Sequence, residues 1–251
     1  DLLQVIRSLR GAVYFLVQST WGTMKIESVR SSPAFVTDAF ERAVGADPAI
    51  CCDILLGLRR LVHKFGRELQ HISWQRIVRL FHIVHEIIQL DASYSNCRPI
   101  LRGLLDQLEQ LHKDGHYTGN SDELYELMES CLDCRGDDSI LAIMKYREKE
   151  ISQLQPDWLV RARNLVDKYA KTTFSTAIRR EAIASLQALY TQSRSICEHE
   201  IVTQLLLPTL EQLIPIEEEC QVQYQMWVTI FEITRSVPVR PGESALFDQV
   251  I

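Results

Sequence analysis

Residues 74–88 read WQRIVRLFHIVHEII, and this stretch decides the fold class. Its apolar residues return every three or four positions, which is the spacing that places them on one face of an α-helix. The stripe consists of Trp74, Ile77, Val78, Phe81, Val84 and Ile88. The same spacing recurs along most of the chain, and no run alternates apolar and polar residues beside a hairpin turn. The sequence therefore predicts an all-α fold.

The composition is that of a packed protein. Of the 251 residues, 46% are hydrophobic and 24% are charged, which excludes collagenous, disordered and disulfide-scaffold chains. The 10 glycines and 8 prolines are too few for the many tight turns of a β-sandwich. The longest purely apolar run, Ala12–Val17, is far shorter than the ~20 residues that cross a bilayer, so we expect no membrane insertion.

An internal repeat gives the helices an order. The apolar pattern that starts at Ile178 recurs at Val222, a shift of 44 residues, and similar patterns start at Ile50, Ile100 and Ile140. Intervals of about 40–47 residues are typical of two-helix HEAT and armadillo units. We therefore predict one α-solenoid segment over residues 1–251, with about five to six stacked antiparallel helix pairs. Its concave surface would suit a protein partner.

Local signals predict where helices begin and bend. Asn120 with Glu123 reads as a capping box, and Asp47-Pro48 as an N-cap followed by proline at the first helical position. Ser73 is expected to cap the helix that Trp74 opens. Pro208 lies inside an apolar helical stripe and should kink that helix, because proline lacks the N–H and clashes with the preceding turn.

Charge and cysteine content restrict the setting of the protein. The net charge of −6 argues against a nucleic-acid partner, since such binding depends mainly on lysines and arginines. The seven cysteines are an odd number, and the sequence shows no secretory n-region or h-region, so we expect a reduced compartment and no disulfides. The chain starts at Asp1 rather than Met, which predicts a processed chain or a fragment of a longer one.

One basic cluster stands out. Arg60, Lys64 and Arg67 share a predicted helix face, and Arg59 and His63 flank it. A solvated helix face explains such a cluster, and docking of an acidic helix or coiled coil is the functional alternative. The candidate partner-binding residues are Arg59, Arg60, Lys64 and Arg67.

The best candidate metal site combines His112, His116, Cys131 and Cys134, spaced H-x3-H and C-x2-C. Imidazole nitrogens and thiolates are the ligands that tetrahedral zinc prefers, so a zinc-binding helical domain is the alternative function. Ordinary packing is the preferred interpretation, because a helical cysteine beside leucines behaves as a small hydrophobic residue. We assign no metal and no cofactor.

Other clusters have simpler interpretations. His82, His85 and Glu86 could ligate a metal, but a partly buried packing histidine is preferred. Cys197 and His199 point to different helix faces, so we do not expect them to act as a pair. The run Glu217–Glu219 is interpreted as a solvated helix cap. The tryptophans are predicted to anchor the core between helices: Trp21, Trp74, Trp158 and Trp227.

The chain contains none of the common local motifs of catalysis. It lacks the G-x-S-x-G elbow, the G-x-x-x-x-G-K-[ST] phosphate loop, G-x-G-x-x-G and H-E-x-x-H. This absence favours a binding or scaffold function over catalysis.

Several stretches, in order, resemble the helical N-terminal region of the tuberin family. They include LRGAVYF, LVHKFGRELQ, LYELMESC and DDSIL, and the resemblance extends from Leu9 to about Thr234. The stretches are Leu9–Phe15, Trp21–Gly22, Leu61–Gln70 with Trp74, Leu124–Cys131, Asp137–Leu141 and Tyr146–Arg147.

The resemblance implies a HEAT-type scaffold segment that helps to hold hamartin. The complex would be cytosolic, would be recruited peripherally to lysosomal membranes, and would restrain Rheb and thereby growth signalling. The family's GTPase-activating domain lies far towards the C-terminus, and nothing in this chain is similar to it. The resemblance therefore also implies a non-catalytic segment.

Overall fold

The computed structural model describes residues 2–5, 38, 40–44, 48–193, 199–240 and 242–244. These residues form helices and connecting turns, and none of them lies in a strand, so the all-α prediction is confirmed for this part of the chain. The chain divides into two compact units, Asp1–Arg135 and Gly136–Ile251. The boundary falls at Gly136, which precedes the first helix of the second unit.

The first unit contains four long helices, α1 (Cys51–Phe65), α2 (His71–Leu90), α3 (Arg98–Lys113) and α4 (Ser121–Ser130). It is organised around α1, which packs against α2 and α3, while α2 also packs against α4. Short 3₁₀ turns lead into α1, join α2 to α3, and follow α4: Pro48–Ile50, Ala92–Cys97 and Leu132–Cys134. Residues 2–5 and 40–44 are helical as well.

The predicted apolar stripe of α2 forms part of the core of this unit. All six of its residues are buried, and Trp74, Phe81 and Val84 are fully so. Ile54, Leu58 and Leu61 form the corresponding buried stripe of α1. Each such side chain contributes roughly 1.5–3 kcal/mol relative to exposure, so packing rather than helix propensity holds these helices in place.

The predicted helix starts are partly correct. Asn120 caps α4, because its Oδ1 accepts a hydrogen bond of 2.8 Å from the backbone N–H of Asp122. Pro48 opens a 3₁₀ turn rather than α1 itself, and Asp47 lies outside the described residues. The prediction for Ser73 is wrong: α2 begins at His71, and Ser73 lies buried within its first turn.

The helices of the second unit are α5 (Asp137–Ile151), α6 (Trp158–Tyr169), α7 (Thr176–Ser193), α8 (His199–Ile201), α9 (Leu207–Leu213) and α10 (Cys220–Ser236). In this unit, α7 packs against α5, α6 and α10. The two stripes related by the 44-residue shift are buried on α7 and α10: Ile178, Ala182, Leu186, Leu189, Val222, Met226, Ile230 and Ile233.

The helix that contains Pro208 is irregular, as predicted. A π-helical segment, Val202–Leu206, joins α8 to α9, and Pro208 lies in the first turn of α9. Proline cannot donate to the carbonyl four residues before it, so a wider turn accommodates the ring. The hydroxyl of Thr209 donates to the carbonyl of Leu205 at 2.7 Å and satisfies one backbone acceptor of this segment.

The stacking of helix pairs into one HEAT-like solenoid over residues 1–251 stays a prediction. Within each unit the helices pack against one another around an apolar core, as the helices of many all-α proteins do. None of the helices in the described ranges has the length and apolarity that crossing a bilayer demands.

Candidate partner-binding surface

The predicted basic cluster lies at the C-terminal end of α1. Arg59, Arg60, His63 and Lys64 are all exposed, because the opposite face of the helix carries its buried stripe. Arg67 does not continue the helix face as predicted, since α1 ends at Phe65 and Arg67 belongs to the turn that follows. The turn nevertheless leaves Arg67 exposed, next to Lys64.

Arg59 contacts a neighbouring helix. A Cβ atom placed on Gly103 of α3 would lie 3.4 Å from Cζ and 3.6 Å from Nη1 of Arg59, so the guanidinium covers this glycine. The side chain therefore extends from α1 across to α3 while remaining exposed to solvent.

Lys64 and Arg67 line a surface cavity of about 390 Å³ between the end of α1 and α3. Its wall combines charged and polar side chains with the apolar side chains of two helices. The lining residues are Val62, His63, Lys64, Arg67, Glu68, Gln107 and Leu111. The predicted cluster therefore falls into two parts. Lys64 and Arg67 line the cavity, whereas Arg59 and Arg60 do not.

The basic cluster and the cavity lie in the part of the chain that matches a known protein family. Residues 3–187, well over half of the chain, match the family described as Domain of unknown function (DUF3384). The chain belongs to the DUF3384 family. The matched region includes the basic cluster and the whole cavity, whereas α9 and α10 lie beyond it.

The candidate zinc ligands of this DUF3384 region are not assembled. Among the described residues, no three His, Cys, Asp or Glu side chains form a group that could hold a metal ion. His112 instead lies 3.0 Å from Ser121 Oγ through its Nε2, with its ring edge-on to Tyr125 at 5.3 Å between centroids. Burial lowers the pKa of His112 and so disfavours the charged form of the ring in this environment.

His85 packs in the core of the first unit. It is buried on α2, and desolvation lowers its pKa from the ordinary value. His82 is half-buried and Glu86 exposed, so the three side chains of this run have different environments. The interpretation of His85 as a packing residue is confirmed. Cys197, the other half of the Cys197–His199 pair, lies outside the described residues.

The cysteines correct one prediction. Cys52 of α1 and Cys97 at the end of the Ala92–Cys97 turn form a disulfide, with 5.3 Å between their Cα atoms, so the expectation of no disulfides is wrong. The two cysteines are 45 positions apart in the sequence, and this spacing gave no indication of pairing, because α1 and this turn meet only in the tertiary structure. Cys51, Cys131 and Cys134 are buried, and Cys220 is exposed.

Native thiol reactivity should separate these cysteines. Burial raises the pKa of Cys131 to about 12 from 9.0, so its thiolate fraction at pH 8 falls by about 1,000-fold. In a Cys197→Ser background, we expect iodoacetamide to modify the exposed Cys220 at least ~100-fold faster than Cys131. Mass spectrometry of timed samples measures both rates. Cys220→Ser should remove the fast phase, and equal rates at Cys131 and Cys220 in the folded protein would contradict the burial.

The four tryptophans do not all anchor the core. Trp74 and Trp158 are buried as predicted, and Trp21 lies outside the described residues. The prediction for Trp227 is wrong, since 44% of it is exposed. It lies with Tyr224 and Phe231, both more exposed still, on the face of α10 opposite its core stripe. The helix therefore carries apolar side chains on two opposed faces.

Two buried ion pairs gave no sequence signal. The guanidinium of Arg135 is fully buried. It contacts Glu109 and lies 2.7 Å from a carboxylate oxygen of Asp106. These two contacts join the turn after α4 to α3. In the second unit, Arg179 Nη1 lies 2.6 Å from both carboxylate oxygens of Glu217. The interpretation of Glu217 as part of a solvated cap is therefore wrong, although Glu218 and Glu219 are exposed. Opposite charges 38 residues apart cannot be matched by spacing alone.

Proposed function

We propose that this chain is a non-catalytic scaffold segment of a tuberin-like protein that binds a hamartin-like coiled-coil partner. The observation that supports the proposal is the exposed basic cluster at the end of α1, built on a helical unit and next to a cavity. The sequence resemblance supplies the identity of the partner. The larger complex would act as the GTPase-activating protein for Rheb and restrain growth signalling.

Electrostatics gives the basic cluster its role in this proposal. Coiled coils commonly carry Glu and Lys at exposed positions, and a rod of this kind meets a helical scaffold along its length. Arg60, Lys64 and Arg67 would contact acidic positions of the coil, and Arg59, held against Gly103, would support them. Charged contacts at the rim of such an interface affect the association rate and the register of binding more than they affect the stability of the fold.

The remaining parts of the proposal rest on the resemblance. The stacked helix pairs would form a HEAT-like solenoid, and the complex would be cytosolic with peripheral recruitment to lysosomal membranes. GTPase activation is assigned to another region of the tuberin-like protein, and no catalytic residue is proposed here. The zinc alternative at His112, His116, Cys131 and Cys134 gains no support, because those side chains have other environments.

Charge reversal tests the proposed surface. In the variant Arg60→Glu/Lys64→Glu/Arg67→Glu, we expect the affinity for a hamartin coiled-coil segment to fall by roughly 10- to 100-fold at low salt. The loss should be smaller at physiological salt, since exposed charges are screened. The melting temperature should hardly change because all three residues are exposed. Titration calorimetry at both salt concentrations measures the effect.

The matched control is Lys145→Glu/Lys149→Glu/Lys171→Glu, which makes the same change of net charge at exposed positions of the second unit. It should retain wild-type affinity. Equal affinity of the cluster variant and the wild type at both salt concentrations would show that the cluster is only a solvated face. The exposed apolar residues of α10, Tyr224, Trp227 and Phe231, would then be the next surface to test.

A further inference from the structure

We infer that α10 forms the contact surface of a homodimer, in which the α10 helices of two copies pack antiparallel about a two-fold axis at Trp227. The contact is made by the aromatic face of α10, which consists of Tyr224, Trp227 and Phe231. This inference goes beyond the proposed function and does not depend on it. It assigns a second copy of this chain as the partner of a surface that the core of the second unit leaves uncovered.

The aromatic face has the composition of a protein interface. Tyr224, Trp227 and Phe231 are 70%, 44% and 62% exposed, and their spacing of three and four positions places them on one side of the helix. No Asp, Glu, Lys or Arg occurs from Cys220 to Phe231, a length of about 17 Å along the axis. Interface cores are enriched in aromatic residues and depleted of charged ones. The face therefore indicates a contact with another protein surface.

The corresponding side of α7 contacts a helix within the second unit. Under the 44-residue shift, Tyr224 corresponds to Arg180 and Trp227 to Ile183. Arg180 donates a hydrogen bond of 3.4 Å to Gln221 Oε1 of α10, and Ile183 is fully buried. Among the described residues, no helix covers the same side of α10 to this extent. A helix is therefore the element that fits against the aromatic face.

The charges at the two ends of α10 favour a second α10 as that helix. Glu218 and Glu219 are exposed just before the helix begins, and Arg235 is exposed in its last turn. Trp227 lies eight positions from both Glu219 and Arg235, so a two-fold axis at Trp227 brings the acidic end of each copy beside the basic end of the other. The antiparallel helix dipoles also attract. A parallel pair would bring like charges together.

The available area fits a weak dimer. An aromatic side chain can bury about 150–250 Å², so the exposed parts of the three rings contribute on the order of 400 Å² per copy. With the side chains at the edges of the face, such as Gln221, Val228 and Arg235, the total reaches roughly 1,000–1,200 Å², the lower limit for a specific interface. We therefore expect a reversible dimer with a Kd of about 1–100 µM.

Sedimentation equilibrium of the full 251-residue chain tests the inference. The mass should rise from 28.9 kDa towards twice that value between about 1 and 300 µM protein. Tyr224→Glu/Phe231→Glu should weaken dimerisation at least tenfold, because like charges then meet across the interface. Its melting temperature should hardly change, since both side chains are largely exposed. The matched control is Val160→Glu/Thr172→Glu, which adds the same charge at exposed positions outside α10 and should dimerise as the wild type does.

Charge exchange tests the antiparallel orientation. Arg235→Glu should weaken dimerisation by about two- to fivefold, since it brings like charges together at both ends of the interface. The further substitutions Glu218→Arg/Glu219→Arg in the same chain should restore dimerisation, a gain that misfolding cannot produce. A triple variant that dimerises no better than Arg235→Glu would overturn the antiparallel pairing.

Cysteine crosslinking tests the register. Cys220 and Thr234 each lie seven positions from Trp227 on the same side of the helix, so Cys220 of one copy lies opposite Thr234 of the other. In a Cys197→Ser background, Thr234→Cys should therefore give a covalent dimer on mild oxidation, measured on a gel without reductant. Cys220 without this substitution should give none, because the two copies of Cys220 would lie about 21 Å apart along the helix axes.

The oligomeric state decides the outcome. A chain that sediments as a monomer over the whole concentration range would overturn the inference and leave the aromatic face to a helix of a different protein. A dimer that Tyr224→Glu/Phe231→Glu leaves intact would also overturn it, because the contact would then lie elsewhere. Dimerisation that this variant abolishes and the control variant retains, together with the crosslink in Thr234→Cys, would support it.

Discussion

Replacing Leu186 with aspartate is expected to unfold the second unit at room temperature. Leu186 is 1% exposed on α7, the helix that packs against α5, α6 and α10. Removal of a buried leucine costs about 2–5 kcal/mol, and an unpaired buried carboxylate adds several more. The sum is comparable to the whole stability of a typical unit, about 5–15 kcal/mol. Circular dichroism during thermal unfolding measures the loss.

The matched control for Leu186→Asp is Val160→Asp on α6 of the same unit. Val160 is 59% exposed, so the same acidic side chain remains solvated there and should change the free energy of unfolding by less than about 1 kcal/mol. Leu186→Ala should be intermediate, since it creates a cavity without a charge. Similar melting curves for Leu186→Asp and Val160→Asp would show that α7 does not pack as described.

The fold class could be predicted because burial follows local spacing. Ile178, Ala182 and Leu186 recur on one side of a helix whatever lies around them, so one amphipathic stripe identifies both the helix and its buried face. The same argument failed for Trp227. Its position under the 44-residue shift matched that of buried Ile183, but α10 also carries an aromatic face that its own core does not cover. Whether a second apolar face of a helix is covered depends on the other elements that pack against it, and the helix's own sequence does not identify them.

Helix ends were harder to predict than helix faces. Asn120 was identified from its spacing to Glu123, and the cap that it forms is a local bond to a residue two positions later. Ser73 was mistaken for a cap because a suitable residue type preceded an apolar run, although the helix had already begun at His71. Arg67 was placed on a helix face that ends two residues earlier, at Phe65. Local residue types constrain these boundaries only to within a turn.

The candidate site was predictable in composition but not in shape. Lys64 and Arg67 are close in sequence, so their charge was visible at once. Gln107 and Leu111, which complete the cavity, come from α3 and carried no signal of their own. Glu217 is the clearest case, because its sequence neighbours are exposed while it is 4% exposed itself. Its partner, Arg179, lies on α7, and only the tertiary structure brings the two together.

Breaking the Arg179–Glu217 pair is expected to destabilise the second unit by about 3–5 kcal/mol, because either single substitution leaves the other charge buried and unpaired. The side chains of Arg179 and Glu217 are 8% and 2% exposed. Glu217 also accepts a hydrogen bond of 2.9 Å from the backbone N–H of Glu219, just before α10 begins. Arg179→Met and Glu217→Leu should therefore each loosen the start of α10. Urea unfolding followed by circular dichroism measures the free energy of each variant.

The double variant Arg179→Met/Glu217→Leu determines how much of that loss belongs to the pair. Buried ion pairs cost desolvation of both charges, so an apolar replacement of similar volume is often neutral or stabilising, and the double variant should recover most of the lost stability. Asp167→Ala is the surface control. It breaks the exposed pair of Arg163 and Asp167, whose nearest atoms lie 3.5 Å apart, and should cost about 0–1 kcal/mol. Additive losses in the double variant would show that the two charges do not interact, contrary to the 2.6 Å contacts between them.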